Sequence, residues 1–451
     1  MVLRSGAGPT RKVALRWSER NFWLVSFPLR ECIGTSANWL AEIQSTADGG
    51  WGQTKGDSSN SLNTAEAILG LLESEGREPG DKTIQDGVHY LINSQIIFSG
   101  DLYSPGFGCW SRDLTKDHIN IALPDVVRTA LAVRAIARAG KPVTDRAVVT
   151  GLQWLLSIQN ADGGWGFSER EESRLFPTCM VMKTLLRLLP IGQEVLALYP
   201  QPHQEKCLRD GLGYIRTKKN EDGSFGDSPM LLVPHTIHVI DLIHGSEASS
   251  WDSFPKIYHD LLKPAVRWVE DNRRDVLQWS TETVLLDGKE VGPIEYVFSH
   301  INPSLYLRYV FPIVLEITGS NRFDPQTALA HEALQVTLDN LEPSPGARGF
   351  CAKRPVSWAT AQTIAALARA TKSYSDFPER PNPSTKFNDR HYVLLFLVFL
   401  SFLTFILSLV DRLSGPLLSF FQFVILATLL IYGALSEKTL VSIIRGRLLF
   451  R

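Results

Sequence analysis

Two histidines and an aspartate at three-residue spacing, His235-x-x-His238-x-x-Asp241, are the residues whose types best suit a metal ion. On a helix, positions three apart share a face, so both imidazoles reach one point with Asp241 a turn further on. No cysteine stands near them, and a histidine in an apolar helix is usually hydrogen-bonded rather than ligating. The expectation is therefore no metal site, with these three as the residues to inspect. Asp125 follows Pro124 and precedes Arg128 by three. It either caps the helix that begins there or faces a ligand beside the guanidinium. Glu66 is either a cavity carboxylate or a solvated side chain near a helix end. Glu282 and Glu295 flank a stretch too irregular to place. No Walker loop, GxSxG, HExxH or dinucleotide fingerprint is present, so no cofactor is implied.

The elements that must position these residues come from an internal repeat. Trp39 and Gln44 precede Asp48-Gly49-Gly50-Trp51-Gly52, and Trp154 and Gln159 precede Asp162-Gly163-Gly164-Trp165-Gly166. Tyr90 and Gln95 keep the spacing before Gly108-Cys109-Trp110. Tyr214 and Lys219 keep it before Asp222-Gly223-Ser224-Phe225-Gly226. Trp268, Arg273 and Trp279 form a degraded fifth copy, and a sixth ends at Gly349-Phe350. The leading aromatics are 51, 64, 60 and 54 residues apart, the length of a helical hairpin with its loops.

The loop chemistry is readable. Paired glycines end a helix and take backbone angles closed to other residues. The Asp bonds turn amides, and the indole N–H needs a partner, for which the Gln is the candidate. After each loop comes a second helix with a small hydroxyl residue near its start: Thr64, Thr129, Thr178, Thr236 and Thr360. These second helices are apolar nearly all round when the arginines of 129–139 are set aside, so they belong inside. The more charged first helices belong outside. Trp17, Trp23 and Trp251 read as core or rim residues.

The motif aromatic-x4-Gln-x3-Asp-Gly-Gly-Trp-Gly resembles the QW repeat of squalene-hopene and oxidosqualene cyclases. It is also similar to the repeats of protein prenyltransferase beta subunits. The resemblance spans roughly residues 30 to 372 and implies an all-α (α/α)6 toroid of helical hairpins. In class II cyclases the middle acid of Asp-x-Asp-Asp, placed before Thr-Ala, protonates an alkene. Here Asn60-Ser61-Leu62-Asn63 precedes the first Thr-Ala, and Asp125-Val126-Val127-Arg128 precedes the second. Val127 stands where the resemblance puts the proton donor, and valine donates no proton. Asn63, Glu66, Asp125, Arg128, His235 and His238 are thus the candidate cavity residues, with the catalytic set unknown. The zinc ligands of the prenyltransferases, an Asp-x-Cys with a following His, have no counterpart.

The charge balance, 46 basic against 47 acidic residues, excludes a general nucleic-acid binder. The five cysteines are scattered and point to a reducing compartment. Two uncharged stretches of 19 residues, Tyr392 to Val410 and Leu417 to Leu435, surround the turn Asp411-Arg412-Leu413-Ser414-Gly415-Pro416. Each reaches about 28 Å as a helix, so residues 392–435 read as a transmembrane hairpin, followed by a basic tail at 436–451. Lys386 and Arg390 lie before it and Lys438, Arg445, Arg447 and Arg451 after it, which places both termini and the body in the cytoplasm. Residues 1–20 are basic without a signal-like apolar run. The expected barrel covers 21–372, and a proline-containing linker covers 373–391.

Three functions follow, the weakest a purely structural adaptor whose cavity is filled by side chains. The first is a ligand-binding or interaction module tethered by an integral two-span anchor, a sensor whose self-association would let the hairpins perturb the membrane. The alternative is an isoprenoid-transforming enzyme of terpene cyclase or prenyltransferase type with a rearranged active site. A basic interior would favour a charged ligand such as a nucleotide or phosphate; an apolar one with a single buried acid would favour the enzyme.

Overall fold

The computed structural model describes residues 22–97, 108–116, 119–189, 201–245, 258–278, 283–285, 297–299, 302–318, 325–340 and 356–375. All belong to the first of the two units into which the chain divides, Met1–Asp376. The hairpin expected at 392–435 lies outside them, as do the basic tail, Trp17, Trp251, Trp279, Glu282, Glu295 and Gly349-Phe350. Among the described residues no helix is long and apolar enough to cross a membrane.

Helices alternate between an outer and an inner ring. α1 (Phe22–Glu42), α3 (Lys82–Asn93), α5 (Arg146–Ser157) and α7 (Gln201–Thr217) are outer. α2 (Ser61–Glu73), α4 (Val126–Arg138), α6 (Leu175–Leu188) and α8 (Pro229–His244) are inner. The fifth outer helix is a π turn, Tyr258–Leu262, running into α9 (Lys263–Asp271), with the one-turn α10 (Arg273–Val276) behind it. The fifth inner helix joins α11 (Asn302–Leu305), a π turn (Tyr306–Val310) and α12 (Phe311–Thr318). α13 (Pro325–Asp339) is outer and α14 (Ser357–Ser375) is inner. α14 therefore runs three residues past the expected barrel boundary at 372.

Each inner helix packs on the next, and α14 packs back on α2, so the ring closes. At the seam Ser357 donates its amide to Gln53 O (2.9 Å) and its hydroxyl to Gly52 O (2.6 Å). Gly70 permits this approach: a Cβ there would stand 2.7 Å from Ala361 Cα. Burial explains which ring each helix joins. α3 buries only Ile84, Gly87, Val88 and Leu91, one stripe at helical spacing. α4 buries ten of its 13 residues, the pattern of an interior helix.

The fold is mostly helical but not purely so. Trp110–Lys116 (β1) and Ile119–Asp125 (β2) pair antiparallel in the second repeat, and Thr283–Leu285 (β3) pairs with Val297–Ser299 (β4). The first hairpin grows from the loop that carries Trp110 and ends at the Asp125 cap of α4, an insertion that the shorter Gly-Gly loops lack.

The repeat loops are the joints of the ring. Trp51, Trp110, Trp165 and Phe225 are fully buried. Each indole N–H donates to the outer helix just behind it: Trp51 to Leu40 O (2.8 Å), Trp110 to Leu91 O (2.7 Å) and Trp165 to Leu155 O (2.7 Å). The glutamines are therefore not the indole partners. They clip sideways instead. Gln44 Nε2 donates to Gly49 O and to Thr83 O of α3; Gln95 to Gly108 O and Ala147 O of α5; Gln159 to Gly163 O and Cys207 O of α7. Lys219 reaches Asp260 O (2.7 Å) from the same position, and Arg273 pairs with Glu332 of α13. The degraded repeats thus keep the link with a cation in place of the amide.

The hydroxyls have a parallel role: Thr64, Thr129 and Thr178 Oγ1 accept from the backbone N–H of Trp51, Trp110 and Trp165. Asp48 and Asp162 accept from the amides of Gly50 and Gly164 in their turns. The leading aromatics Trp39, Trp154 and Tyr214 are buried and Tyr90 is half-buried. Thr236 differs from the other hydroxyls, lying in mid-helix on α8.

Candidate functional site

The inner helices present basic side chains to one another near the middle and C-terminal ends of the ring. Arg134 and Lys183 each stand five residues after their helix's hydroxyl, Thr129 or Thr178, and Arg138 and Arg187 each stand nine after it. Neighbouring α4 and α6 therefore carry matched cations in two layers one turn apart, about 6 Å. The equivalent outer-layer position on α2 is Glu73, whose carboxylate meets Arg138 at 2.5 Å. Arg308 adds a further cation from the fifth inner helix.

His235 and His238 belong to this cluster. His235 Nδ1 is 2.7 Å from Lys183 Nζ, and its ring lies between Phe176 and Tyr309, 5.1 and 5.2 Å from their centroids. His238 Nε2 is 3.0 Å from Arg187, and its Nδ1 is 3.9 Å from Asp241. Lys183 Nζ also sits 4.1 Å above the Tyr309 ring, a cation–π geometry. Both imidazoles thus turn a nitrogen toward a base. That environment repels a divalent ion, and among the described residues no three His, Cys, Asp or Glu converge on a metal position.

The electrostatics are one-sided. Lys183 is wholly buried and Arg134 is 3 % exposed, and Arg134 Nε has no hydrogen-bond partner. Among the described residues Arg134, Lys183, Arg187 and Arg308 have no carboxylate at ion-pair distance. Burial, reinforced by Arg134, Arg308 and Arg187, pushes Lys183 well below the usual ammonium range. Burial together with Lys183 and Arg187 likewise pushes His238 well below the usual imidazole value. Arg187 keeps accessible surface, yet the protein around it and the Arg134 charge bring it down to about 10. Arg308 moves the other way: burial opposes its charge, but Tyr309, Glu66 and Glu73 outweigh it. Glu66 is buried and acts on both Arg134 and Arg308, so it is a carboxylate of the ring's interior rather than a solvated one.

The cluster opens at one end. Arg187 is exposed, and Arg138 and Glu73 side chains are about one-third exposed, at 30 % and 32 %. Cations in a last helical turn complement the macrodipole, which accounts for Arg138 and Arg187 without any ligand. It does not account for Arg134 and Lys183, a turn deeper.

The residues around the first two Thr-Ala pairs lie at the other end. Asp125 caps α4, its Oδ1 accepting from the Arg128 amide at 2.9 Å, and the buried Val127 stands beside it. Asn60 caps α2 by accepting from the Asn63 amide. From Asp125 to Arg134 is nine residues of helix, about 13 Å. The structure therefore brings Glu66, His235 and His238 together with the cations, and sets Asn63, Asp125 and Arg128 apart at the helix starts. Arg134, Lys183, Arg187 and Arg308 escape sequence reasoning because each is a lone charge in an apolar helix. Their equal offsets from the repeat threonines are the signal that finds them.

The squalene-hopene cyclase C-terminal domain model matches residues 58–284. A squalene-hopene cyclase from Schizosaccharomyces japonicus is 24% identical over 165 residues, 32% of this chain and 24% of that protein. A drimenyl diphosphate synthase from Streptomyces showdoensis is 25% identical over 203 residues, 44% of this chain and 33% of that protein. The matches thus span between a quarter and a third of these relatives' lengths. Among solved structures, a cellobiose 2-epimerase from Spirochaeta thermophila superimposes with a TM-score of 0.55 at 12% identity, over 79% of this chain and 99% of that one. This likeness concerns the fold alone. The family match covers half the chain, includes four of the inner helices and takes in the loops that carry Trp110, Trp165 and Phe225: the chain belongs to the squalene-hopene cyclase C-terminal domain family.

Proposed function

We propose that the toroid is a binding module for a small ligand bearing several negative charges, held at the axial cluster by Arg134, Lys183, Arg187 and Arg308. The carrying observation is that four basic side chains, two of them buried, have no carboxylate partner. Buried charge without a counter-ion is costly, and a ligand that supplies the missing charge recovers that cost as affinity. A hairpin at 392–435 would tether this module to a membrane, with body and termini in the cytoplasm, as a sensor coupled to its anchor. Against cyclase chemistry, Val127 stands where the resemblance puts the proton donor, and Asp125 accepts from a backbone amide. That bond ties the Asp125 carboxylate to the start of α4.

A second reading, an isoprenoid-transforming enzyme, is favoured by the match to a drimenyl diphosphate synthase. In that version a diphosphate would occupy the cluster while its chain is converted. Calorimetry of the full-length protein in detergent separates the readings. Inorganic pyrophosphate should bind to the wild type and weaken with Arg134→Met, and squalene and geranylgeranyl diphosphate should be recovered unchanged. Absence of pyrophosphate binding removes the module reading, and a cyclised product establishes the enzyme. For the tether, protease should spare the body in right-side-out vesicles and cleave it in inverted ones; the reverse pattern refutes the orientation.

A further inference from the structure

Among the described ammonium and guanidinium groups of the cluster, Lys183 is the one that can discharge itself. Arginine does not lose its proton in a protein, so a ring holding Arg134, Arg138, Arg187 and Arg308 relieves its repulsion at the lysine. Its immediate partners agree. Nζ touches no carboxylate; it meets the Nδ1 of His235 at 2.7 Å and the face of Tyr309 at 4.1 Å. An amine buried among cations with a general base beside it is the arrangement that activates a lysine toward carbonyl carbon.

We propose that Lys183 forms an imine with a small anionic carbonyl compound, a short 2-oxo or aldehydic acid, whose carboxylate is held by Arg134, Arg187 and Arg308. This rests on the anion-binding reading of the same cluster. In the step, the Nζ lone pair adds to the carbonyl carbon, and the first proton that the nitrogen sheds passes through His235 to the carbonyl oxygen. The second takes the same route to the departing hydroxyl. Water leaves, and a C=N bond joins substrate to Nζ. Amine and carbonyl give imine and water, so neither an oxidant nor a metal is required. The substrate must be small, because Lys183 has no exposed surface, and the proposal requires it to enter from the end of the ring where Arg187 is exposed. The depressed proton affinity of the amine agrees with this role.

Glyoxylate with cyanoborohydride tests it on the full-length protein in detergent at pH 7, with peptide mass spectrometry locating the reduced adduct. Lys82, whose side chain is 88% exposed, is the internal reference. With His235 beside it and no carboxylate to hold its charge, Lys183 should be labelled at least about 10-fold faster than Lys82, which is paired with Asp86. Pyrophosphate should protect it. Lys183→Arg should abolish the fast adduct, and His235→Gln should slow it at least about 10-fold while Lys183 stays in place. Labelling of Lys183 no faster than Lys82, or none, overturns the proposal. Fast labelling in a protein that fails to bind pyrophosphate keeps the nucleophile and removes the anion site.

Discussion

Replacing Arg134 by methionine should make the ligand-free protein more stable. The guanidinium is 3 % exposed, its Nε makes no hydrogen bond, and Arg138 and Arg308 repel it. Glu66 attracts it, but Glu66 also serves Arg308 and keeps that partner in the variant. Exchanging a buried ionic group for an apolar one of similar volume is neutral or stabilising by about 1–4 kcal/mol. Methionine follows much of the same path through the core. Allowing for the lost Glu66 attraction, the expected gain is about 1–3 kcal/mol. The same change removes a charge-assisted hydrogen bond to the ligand, worth about 1.5–3 kcal/mol, or roughly 10- to 150-fold in affinity for pyrophosphate. Urea denaturation followed by the fluorescence of the 11 tryptophans, with and without pyrophosphate, reads both effects. A variant that loses more than about 1 kcal/mol without ligand yet binds pyrophosphate normally would make Arg134 a structural strut and refute the argument.

Trp165→Ala should cost about 3–5 kcal/mol, since the ring is fully buried and its N–H is bonded to Leu155 O; an unchanged urea midpoint would mean that the loops do not hold the ring. Ligand-free stability should fall as pH drops from 7 to 5. His238 has a folded pKa below its unfolded value near 6.5, so the unfolded chain binds the extra proton and each pH unit costs up to about 1.4 kcal/mol. Lys183, depressed in the same way, acts in the same direction. Pyrophosphate affinity should move oppositely and tighten as pH falls, because a bound anion favours the protonated forms. Stability flat from pH 5 to 7 in the wild type, or a slope unchanged in His238→Phe, counts against the cluster as drawn.

The ring was legible because its joints are local chemistry. Asp162, Gly163, Gly164 and Trp165 are consecutive, and each does in the turn what its type requires. The partners of those groups were not legible, because they lie on other helices. Nothing in the spacing of Trp165 distinguishes Leu155 O from Gln159 as the indole acceptor, and only the packed ring sends Gln159 across to Cys207 O. The cap at Asp125 could be read beside its alternative, and the structure selects it. His235 and His238 were rightly placed on one helix face, but their chemistry is decided by Lys183 and Arg187 on α6, some 50 residues earlier. Reading the inner helices as apolar with their arginines set aside removed the very residues that make the interior basic.

The seam between Gly52 and Ser357 dictates an order of events during synthesis. Those residues are 305 positions apart, so the first hairpin emerges long before the surface that completes it exists. Until α14 is made, Gly70 and the apolar face of α2 around it have no neighbour on that side. A nascent chain carries an open arc of inner helices, and premature release at any point before Ser375 leaves both ends of the arc bare. Contacts this distant in sequence also form late and slowly. Shielding of the growing arc, rather than strength in any single repeat, then governs how much protein matures.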